Sequence, residues 1–128
     1  MNSEVKPLLD KLGVERGQKV ALVGLDEVAF AEQLEERGAE LIDPKQPGRF
    51  DHVFVYMDSL EHTFLFGLLR ERIRPAGSIW AIYPKGNKEF NGNDVRNRGL
   101  EAGVVDVKVV RFSETLSALK FVLRLEDR

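Results

Sequence analysis

Cysteine is missing from all 128 residues. That removes disulfides, thiolate metal sites, iron–sulfur clusters and a cysteine nucleophile, and it fits a reducing cytoplasm. Histidine occurs twice, as His52 and His62, separated by a strand-like run and with no third ligand in view, so a metal site is not expected. No serine carries the marks of an activated nucleophile. Charge of one sign is also scarce. Lys plus Arg is 19 against 21 for Asp plus Glu, a formal net charge of -2, which gives no bulk reason to expect nucleic acid or an anionic membrane. The densest basic stretch, Arg70, Arg72 and Arg74, reads as the solvated end of a helix. No apolar run approaches the ~20 residues of a bilayer-spanning helix, and the opening "MNSEVKPLLDKLG" lacks the pattern of a signal peptide. Repeats and low-complexity tracts are absent, and the length suits one domain, residues 1–128.

What is present is an alternation of helical and strand-like runs. Leu8, Leu9 and Leu12 predict a short helix over 4–12, closed by Gly13. "KVALVG" (19–24) predicts a buried strand, followed by a helix that Asp26 caps and Gly38 ends. Val28, Ala29, Phe30 and Leu34 supply the inward stripe of that helix. "AELID" (39–43) is a second strand, "PKQPGR" a loop, and "FDHVFVYMD" (50–58) a third strand. Ser59 caps a predicted helix from Leu60 to Arg74, "RPAG" ends it, and "SIWAIYP" (78–84) is a fourth strand. After the polar loop "KGNKEFNGN", Asn93 or Asp94 caps a helix to Ala102. "VVDVKVVRF" and "SALKFVLRL" form a closing antiparallel hairpin. The expected class is α/β: a mostly parallel six-stranded sheet with helices on both faces and one antiparallel strand.

Three stretches, "GVERGQKVALVG", "LLRERIRPAGSIWAIYP" and "LEAGVVDVKVVRF", together with this order, resemble the class I methyltransferases, a Rossmann-like family. The resemblance covers nearly the whole chain, and it implies S-adenosylmethionine as the cofactor to test. "SIWAIYPKG", "AGVVDVKVVRFSET" and "ALKFV" further resemble an uncharacterised family of short bacterial proteins, which implies the same fold and no reaction. Two departures stand out. Only Pro44–Arg49 fills the place of the strand-helix unit that methyltransferases carry after their second strand. Their Gly-x-Gly-x-Gly loop is reduced here to Gly24, followed by Leu25 and Asp26.

In an open parallel sheet ligands bind beyond the carboxyl ends of the strands, where the strand order reverses. The resemblance puts that point between "KVALVG" and "FDHVFVYMD". The candidate cofactor residues are then Gly24, Asp26, Asp43 and Asp58. Asp43, at the end of the second strand, stands where relatives bind ribose hydroxyls, and it equally suits a turn before Pro44. Lys85, Ser113 and Thr115 are candidate contacts for an anionic ligand at the same edge, with ordinary loop and turn roles as the alternative. Asp26, Asp58 and Lys85 also suggest the acidic pocket of a phospho-receiver domain, but the closing hairpin argues against that fold. Phe54, Tyr56, Trp80 and Tyr83 read as core. The expected function is a non-catalytic methyltransferase-like binding or interaction module, with a minimal S-adenosylmethionine-dependent methyltransferase as the alternative. Its partner would be a small molecule or a protein, or a second copy paired through an edge strand, "AELID" or "VVDVKVVRF".

Overall fold

The computed structural model describes residues 7–128. The first three residues of the expected opening helix lie outside that range. The elements run α1 (Leu8–Leu12), β1 (Lys19–Val23), α2 (Val28–Arg37), β2 (Glu40–Leu41), β3 (Phe50–Tyr56), a 3-10 turn (Leu60–Phe64), α3 (Leu65–Arg70), β4 (Ile73–Pro84), α4 (Gly92–Glu101), β5 (Val104–Arg111), β6 (Leu116–Leu123) and a last 3-10 turn (Leu125–Asp127). The six strands lie in the order β2-β1-β3-β4-β6-β5. All are parallel except β6, which runs against both its neighbours. This is the expected sheet, and its antiparallel β6 excludes the receiver topology.

Alternation along the strands builds a core on each face. Val53 and Val55 of β3, and Met57 just after it, point one way, into a cluster with Phe66 and Leu69 of α3 and Val95 of α4. Phe54 points the other way, with Trp80 and Ile82 of β4, against Leu9 and Leu12 of α1 and Phe30 and Leu34 of α2. Each fully buried residue of this kind contributes about 1.5–3 kcal/mol. Trp80 lies at the centre of the second cluster, stacked 6.2 Å from Phe54, with Lys120 Nζ 5.9 Å from its ring centroid. Its buried indole Nε1–H has no hydrogen-bond acceptor among the described residues. Between β1, β3 and β4 runs a polar thread. The His52 Nε2 lies 2.8 Å from Gln18 Oε1, and Ser78 Oγ lies 2.8 Å from His52 Nδ1.

Several boundaries differ from the sequence reading. The predicted helix over 60–74 is a 3-10 turn and a short α3 that stops at Arg70. "RPAG" lies inside β4, where the register with β3 slips between Phe50 and His52. Gly77 makes that bulge possible: a Cβ there would sit 2.9 Å from Asp51 O and 3.0 Å from Phe50 O. Helix α2 starts one residue later than a cap at Asp26 requires. Its N-cap is Glu27, without a side-chain bond, so Asp26 does not cap it. Val28 and Ala29 accordingly leave the inward stripe, and Val28 is exposed. Ser59 holds the cap position before the 3-10 turn but makes no capping bond. Helix α4 is capped by Asn91, whose side chain accepts from the N–H groups of Asn93 and Asp94 while Asp94 returns a bond to Asn91 N–H.

The basic stretch is committed to structure. Arg70 binds Ala102 O and Asp127, and Arg74 pairs with Asp51. Arg72 clasps the loop after β2, donating to the carbonyls of Pro44, Gln46 and Gly48 with its guanidinium over the Phe50 ring. Both sheet edges are blunted. Strand β2 has two residues, and β5 is bulged between Asp106 and Lys108. Asp106 is tied to Arg96 and Lys108 to Lys11 O.

Candidate functional site

The strand order reverses between β1 and β3, as the topology requires for a ligand site at their carboxyl ends. Gly24, Asp26, Asp43 and Asp58 all follow the carboxyl ends of β1, β2 or β3. Gly24 adopts φ 67, a left-handed conformation that favours glycine, and turns the chain out of β1. Leu25 then turns inward and is only 8% exposed, packed with Phe30 in the core cluster on the α1–α2 face. The ring of Phe30 meets Phe54 at 5.1 Å and Phe112, from the β5–β6 turn, at 4.9 Å, both edge-to-face. These side chains pack together beneath the β1–α2 junction.

The acidic candidates are engaged locally. Asp43 Oδ1 accepts a bond from Lys45 N–H at 2.9 Å, a turn made by the residue on its own loop. Asp58 Oδ1 lies 3.1 Å from His62 Nδ1, a half-exposed i,i+4 pair. Burial, and then the charge of Asp58, push the Tyr56 phenol above its ordinary pKa. Asp26 and Glu27 are exposed at the start of α2, where they add negative charge at the end of the helix that attracts anions.

Lys85, Ser113 and Thr115 do come together. Lys85 N–H donates to Thr115 O at 2.9 Å and its Nζ donates to Ser113 O at 2.9 Å. Ser113 Oγ accepts from Thr115 N–H at 3.3 Å and Leu116 N–H at 3.1 Å, so it shapes the turn itself. The lysine straps the end of β4 to the hairpin.

Sequence reasoning missed Phe112, Tyr56 and His62 as neighbours of this edge. An apolar residue inside a polar turn, Phe112 before "SET", was the available signal. Among three clefts, one of about 320 Å³ opens at the β1–α2 junction itself, lined by Leu22, Leu25, Asp26, Glu27 and Val28, and one of about 410 Å³ lies between the 3-10 turn at 60–64 and α4. None of the three is lined by Asp43, Asp58 or Lys85. Among the described residues no group of three or more His, Asp and Glu is placed to hold a metal ion, and no helix is long and apolar enough to cross a membrane.

No family model and no curated protein matches the chain. Solved structures do. A TehB-like SAM-dependent methyltransferase from Corynebacterium glutamicum superposes with a TM-score of 0.57 at 11% identity, over 91% of this chain and 85% of that one. A methyltransferase from Pyrococcus furiosus gives 0.61 at 16%, over 89% and 79%. LepI in complex with SAM gives 0.63 at 12%, over 94% of this chain and 48% of that one. The chain therefore has the Rossmann-like fold of the class I methyltransferases, in a six-stranded form.

The residues at the junction fit S-adenosylmethionine poorly. A nucleoside lying across the β1–α2 turn needs close backbone approach beside glycines; here Gly24 is the one glycine of the turn, and two exposed carboxylates, Asp26 and Glu27, line the cleft beside it.

Proposed function

We propose that this chain, acting as one domain over residues 1–128, is a methyltransferase-like binding or interaction module without catalysis of its own. The observation that carries the reading is the β1–α2 turn, in which Gly24 is the one glycine left of the cofactor-binding pattern and exposed carboxylates, Asp26 and Glu27, line the adjoining cleft. Asp26 and Glu27 oppose an anionic group at the start of α2, and Asp43 spends a carboxylate oxygen on its own loop. The lack of cysteine supports a reducing compartment such as the cytoplasm.

A second reading, a minimal S-adenosylmethionine-dependent methyltransferase, is favoured by one observation: Asp43 and Asp58 remain exposed beyond the strand ends at the reversal point. Calorimetric titration with S-adenosylhomocysteine separates the two, with Asp43→Ala as the control. The module reading expects no heat at protein concentrations that would reveal millimolar affinity. Micromolar binding that Asp43→Ala weakens would overturn it in favour of the enzyme.

A further inference from the structure

On the α1 side of the sheet a strip of positive charge crosses β5 and β6. Lys108 and Lys120 stand directly opposite each other in that antiparallel pair, an arrangement that repels. Lys120 is also directly opposite Trp80 of β4, on the face that α1 covers with Leu9 and Leu12. The two amines differ in their surroundings. Lys108 is exposed, and its Nζ donates to Lys11 O at 2.8 Å near the carboxyl end of α1. Lys120 is half-buried, and among the described residues its Nζ makes no hydrogen bond and no ion pair. It lies 5.9 Å from the Trp80 ring centroid, at the outer limit of a cation–π contact. The acids on the elements around it are engaged elsewhere. Asp106 of β5 is tied to Arg96 of α4, Asp10 of α1 to Arg37, and Asp51 of β3 to Arg74. The other titratable groups around the pair, Lys11 of α1 and His52 of β3, are bases. Burial, and then the charge of Lys108, hold the Lys120 amine below the ordinary lysine value.

We infer that Lys120 is a site of covalent acylation by small anionic acyl donors of the acyl phosphate class, with Lys108 as its activating neighbour. A lysine becomes a nucleophile where burial or a second cation favours its uncharged form, and both conditions meet here. Lys108, exposed beside it, also draws a negative donor to the strip. In the step, the Nζ lone pair of the neutral amine attacks the acyl carbon. The bond from that carbon to the phosphate oxygen breaks, and the oxygen leaves with the electron pair as inorganic phosphate. Nζ gives the proton it can no longer hold to water. The product is a neutral amide, so the repulsion across the β5–β6 pair ends with the reaction.

This inference goes beyond the module reading and is independent of it, since acylation needs neither S-adenosylmethionine nor a partner. The test is timed acetylation of the full chain by acetyl phosphate from about pH 7 to about pH 9, with the rate at each lysine read by peptide mass spectrometry. At neutral pH Lys120 should react several-fold faster than the exposed Lys45 and Lys88. The advantage should shrink as the pH rises and the exposed amines also lose their protons. Lys108→Gln removes the neighbouring charge and keeps a donor for Lys11 O. It should slow Lys120 several-fold, with Lys45 and Lys88 unchanged and the circular dichroism spectrum unaltered. A rate at Lys120 no higher than at Lys45 and Lys88 would overturn the assignment, and so would equal Lys120 rates in the wild type and Lys108→Gln.

Discussion

Acid should destabilise this protein through one side chain, His52. It is 6% exposed and sits between Gln18 and Ser78. Gln18 Oε1 also accepts from Glu15 N–H at 2.8 Å, which identifies that atom as the oxygen. The imidazole therefore donates from Nε2, and in its neutral form it accepts from Ser78 Oγ–H at Nδ1. Burial, and next the charge of Lys120, lower its pKa from 6.5 to about 4. The unfolded chain takes up the proton first, so the stabilisation is fully present above pH 6.5 and is lost as the pH falls towards 4. At ~1.4 kcal/mol per tenfold change in proton affinity, the whole effect is about 3 kcal/mol, and about 2 kcal/mol of it is gone by pH 5. Urea unfolding followed by far-ultraviolet circular dichroism at half-unit steps from pH 7 to 5 reads this directly. In His52→Gln the slope over that interval should flatten by about one proton, whatever the variant costs at pH 7. Equal slopes in the two proteins would refute the buried neutral imidazole. Imidazole nitrogen shifts that show a protonated ring at pH 6 would do so independently.

Three further substitutions test the packing. Gly99→Ala places a Cβ within 2.7 Å of Phe121 Cδ2, in a fully buried contact between α4 and β6. It should cost about 2 kcal/mol in urea unfolding despite the better helix propensity, and a gain in stability would show that the ring moves freely. Asn91→Ala removes the side-chain acceptor of the capping box on α4, leaving the Asp94 arm in place, and should cost about 1 kcal/mol in the same assay, with loss of amide-exchange protection confined to the first turn of that helix. Arg72→Ala frees the Pro44–Gly48 carbonyls and should raise amide-exchange rates in residues 45–50 while lowering stability by about 1–2 kcal/mol. An unchanged loop would mean that the prolines alone hold it.

The alternation of runs made the sheet legible, because parallel strands buried on both faces read as unbroken apolar stretches such as "KVALV" and "HVFVYM". The hairpin was legible from the few residues between two such stretches, and it fixes the antiparallel β6. Element ends were harder, because they are decided by contacts across the sheet. Arg74, Pro75 and Ala76 look like a helix stop in sequence, yet pairing with β3 draws them into β4 around the bulge at Gly77. Asp26 has the chemistry of a cap, but Leu25 turns into the core and shifts the helix start to Val28. The candidate site divides in the same way. The placement of Gly24, Asp43, Asp58 and Lys85 past the strand ends follows from topology. Phe112 closing on Phe30 depends on where separate segments come to rest, which local pattern does not encode.

Trp80 is the chain's single tryptophan, and its indole is fully buried among apolar side chains. An excited indole in such a place emits far to the blue, and when exposed by unfolding it shifts to the red. Because the ring spans the middle of the sheet, on β4 between β3 and β6, its colour reports the cohesion of the whole layer rather than of a loop. The native protein thus carries an optical gauge of its own folding, with no label needed and no second emitter of its kind to separate.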